Sequence, residues 1–176
     1  MRIEFLDKAE ADSVLPTLYR ILYANMSKIA LFGKSYEEAY SQWFSCVRPA
    51  LDKEPRQILL LRDGEEIIGF FQYYVSGGVF MMEEIQFAEN YRGTGLFGEL
   101  YRFLVKIIPA DTGFVEAYAH PKNEKSIAIL SHLALSPVKE SGDENLLHFR
   151  GEYRKLTEKY GTDEILNERD QYNERI

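Results

Sequence analysis

The stretch YRGTGLFGEL, residues 91–100, sets Gly93 and Gly95 between an arginine and a run with helical spacing. The first turn of a helix exposes N–H groups that lack intrahelical acceptors and carries the positive end of the macrodipole. Glycines just ahead of such a turn let the backbone come close to an anion, and Arg92 adds a formal positive charge. Strand, Arg92-Gly93-Thr94-Gly95, then helix is therefore the pattern of a pyrophosphate site.

The same letters fit two other phosphate motifs, and context separates them. Gly93-x-Gly95-x-x-Gly98 matches a dinucleotide fingerprint, with Glu116 near the spacing of its ribose-binding acid. That fingerprint needs its first glycine at a strand end and parallel βαβ units around it, whereas AENYR intervenes here and a hairpin meander precedes it. Gly93-x-x-x-x-Gly98 also fits the start of a P-loop. Glu99-Leu100 then stands where Lys and Ser or Thr are required.

The meander is read upstream. QILLLRDGEEIIGFFQYY predicts two strands around Asp63-Gly64, Ser76-Gly77-Gly78 a second turn, and VFMMEEIQFA a third strand. Earlier, residues 2–6 read as a strand, and Asp7 with Glu10 as a helix start before Val14, Leu15, Leu18, Ile21 and Leu22. Residues 24–34 form a loop ending in Gly33. Ser35 with Glu38 has capping-box spacing ahead of the stripe Tyr36, Ala39, Tyr40, Trp43 and Val47, and Pro49 or the DKEP turn stops that helix.

Downstream, LFGELYRFLVKII is a helix with Leu96, Leu100, Leu104, Ile107 and Ile108 on one side. FVEAYAH is a strand, NEKSIAILSHLAL a helix capped by Asn123, and LLHFRGEY a last strand after the Ser141-Gly142-Asp143 turn. Strands with interspersed helices make the chain α+β rather than doubly wound. Residues 1–151 read as one domain, and 152–176 as a solvated helical or frayed tail.

Composition excludes several classes. A chain of 176 residues with 45% apolar and 28% charged residues suits a globular domain that needs no staples. The net charge of -7 argues against nucleic-acid binding, since such a surface repels phosphates. No stretch is long and apolar enough to span a membrane, and the N-terminus lacks a signal peptide's pattern, so a cytoplasmic location is expected. The single cysteine, Cys46, rules out an internal disulfide and is expected as a small buried hydrophobe. The His and acid spacings suggest no metal.

EEIQFAENYRGTGLFGEL resembles motif A of the GCN5-related N-acetyltransferase (GNAT) family, Q/R-x-x-G-x-G/A. Arg92, Gly93 and Gly95 match; Phe97 stands where the last small residue is expected, with Gly98 one place later. NEKSIAILSHLALSPV is similar to the family's second motif: Asn123 and Ser126 match, while Ala134-Leu135 replaces Gly-Phe. The resemblance implies a GNAT-like acyl-CoA N-acyltransferase fold, with a mixed, mostly antiparallel sheet of about seven strands flanked by helices. It implies acetyl-CoA as co-substrate, gripped at the pyrophosphate by the amides of Gly93, Thr94, Gly95, Leu96, Phe97 and Gly98 beside Arg92, with Asn123 and Ser126 contributing. It also implies that a backbone amide near Phe87 meets the thioester oxygen.

For the base that deprotonates the amine, Glu83 and Glu84 are out of place in an otherwise apolar strand. Alternation puts Glu83 with Ile85 and Phe87, and Glu84 with Met82 and Gln86. Glu83 is preferred, as a carboxylate desolvated among apolar neighbours. Family members often carry a tyrosine acid where this chain has Leu130, leaving Tyr118, His120 or water as the proton source. His120 reads as a turn residue, and His132 and His148 as surface residues. Tyr23, Met26, Phe32, Tyr36 and Tyr40 border the expected acceptor side or pack the core. The acceptor is a primary amine, on a small molecule or a protein; a homodimer is compatible with 12 Tyr and 11 Phe. A non-catalytic CoA-binding module is the alternative.

Overall fold

The computed structural model describes residues 1–27, 29, 34–53, 55–138, 146–163 and 165–166. Phe32, Gly33, Ser141, Gly142 and Asp143 lie outside the described residues. The strands are β1 (Arg2–Phe5), β2 (Gln57–Asp63), β3 (Glu66–Ser76), β4 (Val79–Phe87), β5 (Phe114–Ala119), β6 (Ser136–Pro137) and β7 (Leu147–Glu152). The helices are α1 (Ala11–Met26), α2 (Tyr36–Lys53), α3 (Leu96–Ile107), α4 (Glu124–His132) and α5 (Tyr153–Tyr160). Among the described residues the seven strands form one sheet in the order β1-β2-β3-β4-β5-β7-β6. β4 runs parallel to β5, while β1–β2, β2–β3, β5–β7 and β6–β7 pair antiparallel. The α+β class and the mostly antiparallel sheet follow the sequence reading. The antiparallel meander ahead of the glycine loop removes the dinucleotide alternative.

Two compact units divide the chain: Met1–Tyr74 with Glu83–Gly93, and Val75–Met82 with Thr94–Ile176. In the first, Leu15, Leu18 and Tyr19 of α1 join Val47 and Leu51 of α2, Ile58 and Leu60 of β2 and Phe70 of β3 in one buried cluster. Burying each large side chain contributes roughly 1.5–3 kcal/mol. The capping box ahead of α2 is present: the Ser35 N–H donates to Glu38 Oε2 at 2.9 Å, and the Glu38 N–H to Ser35 Oγ at 3.2 Å. α2 passes Pro49 and ends at Lys53. Its last turns bury Ala50 and Leu51, which offsets the hydrogen bond that proline cannot make. Cys46 is exposed, contrary to expectation, because it falls at the edge of the stripe that Ala39, Val47, Ala50 and Leu51 bury.

β3 carries a glycine where a neighbour comes close. A Cβ at Gly69 would lie 2.6 Å from the Gln86 carbonyl oxygen and 2.9 Å from the Phe87 ring, so no larger residue fits. Register shifts between Leu61 and Arg62 of β2, where Leu61 faces Gly69 and Arg62 faces Ile67, leaving Ile68 as the bulged residue.

In the second unit, Phe80 of β4 meets the ring of Tyr153 edge-on at 5.8 Å, and the Tyr101 hydroxyl donates to the Met82 sulfur at 3.1 Å. α3 buries Leu100, Tyr101, Leu104 and Val105; the buried stripe is rotated from the predicted one, with Leu96 and Ile107 only partly covered. Hydropathy alone favours Leu96 and Ile107, but the amphipathic Tyr101 fills the core with its hydroxyl satisfied. The start of the expected tail is packed too. Tyr153, Leu156 and Thr157 of α5 are fully buried, since a helix of charged residues still carries one apolar stripe. β6, with two residues, is too short to show a period in the sequence.

Candidate active site

The glycine loop adopts the conformations its residues allow. Gly93 and Gly95 have φ of 76° and 87°, left-handed values that disfavour any residue with a Cβ. Gly95 is the N-cap of α3 and offers no side chain to the helix. The Gly98 and Glu99 amides turn back to the Gly95 carbonyl at 3.0 and 3.3 Å. The Leu96 and Phe97 amides belong to the first turn and have no intrahelical acceptor by geometry. Nothing lies within 4 Å of where a Cβ would stand at Gly93 or Gly95. Amides at a helix N-terminus, with open space at Gly93 and Gly95, fit an anion such as a pyrophosphate.

Two details refine the motif. The Phe97 ring packs on Tyr101, with ring centroids 4.5 Å apart. Gly98 has ordinary space: the nearest atom to its would-be Cβ is Arg102 Nη2 at 3.5 Å. Arg102, one helical turn on, thus brings a second guanidinium to the start of α3. Its i+4 spacing from Gly98 was the available signal.

β4 supplies the carboxylates. Its pairing with β5 runs from Val79↔Phe114 to Met82↔Ala117, and β4 continues five residues to Phe87. Glu83 is held by Arg56, whose Nε and Nη2 reach its two oxygens at 2.5 and 2.6 Å, and by Gln72 Nε2 at 3.0 Å. A bidentate guanidinium occupies lone pairs of both carboxylate oxygens. Glu84 lies on the face of Met82 and Gln86. Burial pushes its carboxyl up to about 7, opposed by a hydrogen bond from Gln86 and aided by the charge of Glu83. The strand's alternation assigns the desolvated role to Glu83 only because Arg56, 27 residues away, is invisible to it.

A chain of amides leads from Glu84 to the loop. Gln86 Nε2 donates to Glu84 Oε1 at 2.6 Å, and Asn25 Nδ2 of α1 donates to Gln86 Oε1 at 2.5 Å. Asn25 Nδ2 also reaches the Phe87 carbonyl at 3.0 Å, and Arg92 Nη2 donates to Asn25 Oδ1. Arg92 Nε lies 3.4 Å from the same Phe87 carbonyl. Asn25 had no signal in the sequence, where it falls in the loop read over 24–34, whereas α1 continues through it to Met26.

The second motif opens α4. Asn123 caps α4 by accepting the Ser126 N–H at 3.1 Å. At the other end Ala134 takes φ 63°, the conformation for which glycine is the usual residue. The Leu135 and Ala134 amides return to Leu130 and Ser131 in a Schellman closure. Leu130 is buried, 7% exposed. His120 accepts the Lys122 N–H within a turn, as expected. His148 is no surface residue: it is 3.0 Å from Glu116 and stacks on Tyr118 at 4.7 Å. Among the described residues no cluster of His, Cys, Asp and Glu could hold a metal, and no helix is long and apolar enough to cross a membrane.

Residues 15–133 match the model of the acetyltransferase (GNAT) family. The fold is similar to the PaiA N-acetyltransferase from Thermoplasma acidophilum in complex with coenzyme A, at 14% identity and TM-score 0.66 over 87% of this chain and 100% of that one. It is also similar to an acetyltransferase from Thermus thermophilus, at 19% identity and TM-score 0.63 over 86% and 97%. A spermidine N-acetyltransferase SpeG chimera from Vibrio cholerae and hSSAT aligns at 9% identity and TM-score 0.58 over 90% and 99%. No curated protein matches the sequence significantly. The family match takes in well over half of the residues, with the glycine loop inside it, and the chain belongs to the acetyltransferase (GNAT) family.

Proposed function

We propose that the protein transfers an acetyl group from acetyl-CoA to a primary amine by direct attack, with Glu84 as the general base. The observation that carries this is Glu84 itself, a carboxyl raised by burial to about 7 on the tract of β4 beyond its pairing with β5. An alkylammonium cannot attack a carbonyl, and a base with a pKa near the working pH removes its proton most effectively. Glu83, saturated by Arg56 and Gln72, is the weaker candidate.

Acetyl-CoA supplies a thioester, whose acyl carbon accepts the amine and whose thiolate leaves. Gly93, Thr94, Gly95, Leu96 and Phe97 hold its pyrophosphate through backbone amides, with Arg92 and Arg102 adding charge, while the Gly98 amide, expected there too, is taken by the Gly95 carbonyl. The Ala88 N–H pairs with the Ile68 carbonyl of β3, so by alternation the Phe87 N–H points away from β3. That amide would stabilise the oxyanion formed during attack. The bond made is N–C and the bond broken is C–S; the ammonium's first proton passes to Glu84, and the second, shed as the amide forms, neutralises the departing thiolate.

An acceptor that is cationic before attack suits a chain of net charge -7, and spermidine acetyltransferases among the similar structures point to the same class. A second reading, a CoA-binding module without turnover, is favoured by Leu130, an apolar buried residue where relatives commonly place a tyrosine acid. Thiol release from acetyl-CoA is measured across small amines, polyamines and peptide N-termini. Release with one amine class supports the transferase. CoA binding with no release from any amine supports the module.

A further inference from the structure

The side chains Arg92, Asn25, Gln86 and Glu84 form one file of hydrogen bonds, and its direction is fixed at both ends. Arginine can only donate, and an ionised carboxylate can only accept. Asn and Gln amides can each be turned by 180°, exchanging donor for acceptor at almost no steric cost. Arg92 donating to Asn25 Oδ1 turns the Asn25 NH2 towards Gln86. Asn25 donating to Gln86 Oε1 then turns the Gln86 NH2 towards Glu84. The Phe87 carbonyl, which accepts from both Asn25 and Arg92, reinforces the same orientation.

We infer that Asn25 is a positioning residue: it transmits the donor-only character of Arg92 through Gln86, so that Glu84 always meets an N–H and never a carbonyl oxygen. The inference rests on Glu84 being the base. It ties the base to the loop that grips the donor, across 67 residues of sequence between Asn25 and Arg92. Without the lock Gln86 can turn its carbonyl towards Glu84, which favours the protonated carboxyl. The charged group acting on Glu84 is Glu83, itself paired with Arg56; Arg92 bears on it through the amides of Asn25 and Gln86.

The test is a carboxyl titration by NMR on the full chain labelled with carbon-13 at glutamate side chains, the Glu84 signal being assigned by its loss in Glu84→Gln. Asn25→Ala moves the Glu84 midpoint upward by about one pH unit. The acid limb of kcat/KM for the amine moves with it, while kcat at high pH changes little. Asn25→Leu, close in size and also without donor or acceptor, gives the same shift should the alanine variant fold poorly. An unmoved Glu84 midpoint in the folded variant overturns the inference. Failure of the underlying reading looks different: Glu84→Gln would then keep full activity and an unchanged acid limb, whatever the midpoint does in Asn25→Ala.

Discussion

Glu84 and Glu83 are adjacent acids given opposite conditions by one alternation of a strand. Glu83 finds a guanidinium; Glu84 finds burial and an amide. Their presence in VFMMEEIQF is legible as an anomaly, but which of them is desolvated depends on Arg56 and Gln72, and neither position can be inferred from the strand's own pattern. Burial of Glu84 has a thermodynamic consequence of definite sign. Its carboxyl has a folded value of about 7 against 4.5 for the free group. The folded state therefore holds a proton more tightly, so this group's contribution is fully present below about pH 4.5 and is lost as pH rises through about 7. Glu84→Gln removes that dependence. Urea unfolding at pH 5 and pH 8 is expected to show the variant gaining about 1–3 kcal/mol on the wild type between the two pH values. An equal difference at both would remove the case for a desolvated Glu84.

At the scale of elements, the loop and the helix caps were the most legible parts, because glycine and capping residues act locally. Gly93 and Gly95 adopt left-handed φ, Ser35 and Glu38 form their reciprocal cap, and Asn123 caps α4. Gly95→Ala forces a Cβ into a φ of 87° at the head of α3. The cost, about 1–2 kcal/mol, falls on the loop geometry. Calorimetric titration is expected to show CoA binding weakened about tenfold, with acetyl-pantetheine, which lacks the pyrophosphate, hardly affected. Equal losses for both would place the pyrophosphate elsewhere. Ala134 is the converse case, a non-glycine held at φ 63°. Ala134→Gly is expected to stabilise the fold by about 1 kcal/mol, read as a rise in the urea midpoint. What the element patterns could not show was α3's rotation towards Tyr101 and Val105, or the packing of α5, because charged stretches hide a narrow apolar stripe.

For the whole molecule, the class and the β2–β3–β4 meander were legible because the turns at Gly64 and Gly77-Gly78 make consecutive strands neighbours, whereas the parallel β4–β5 step and the place of the two-residue β6 were not. The side chains that fix the two carboxylates were not, because Arg56 and Gln72 reach Glu83, and Asn25 reaches the Gln86 that bonds Glu84, only through folding. The family supplies the reaction class, and the acceptor follows from chemistry that the donor loop does not encode. In the proposed reaction Glu84 takes the amine's proton. Its most direct test is the pH dependence of kcat/KM for the amine, measured as thiol release at saturating acetyl-CoA in the wild type, Glu84→Gln and Glu83→Gln. The wild type should lose activity on acidification through an ionisation near 7, and Glu84→Gln should lack that limb and fall by about 10²–10⁴-fold. Retention of the limb in Glu84→Gln with its disappearance in Glu83→Gln would contradict the account.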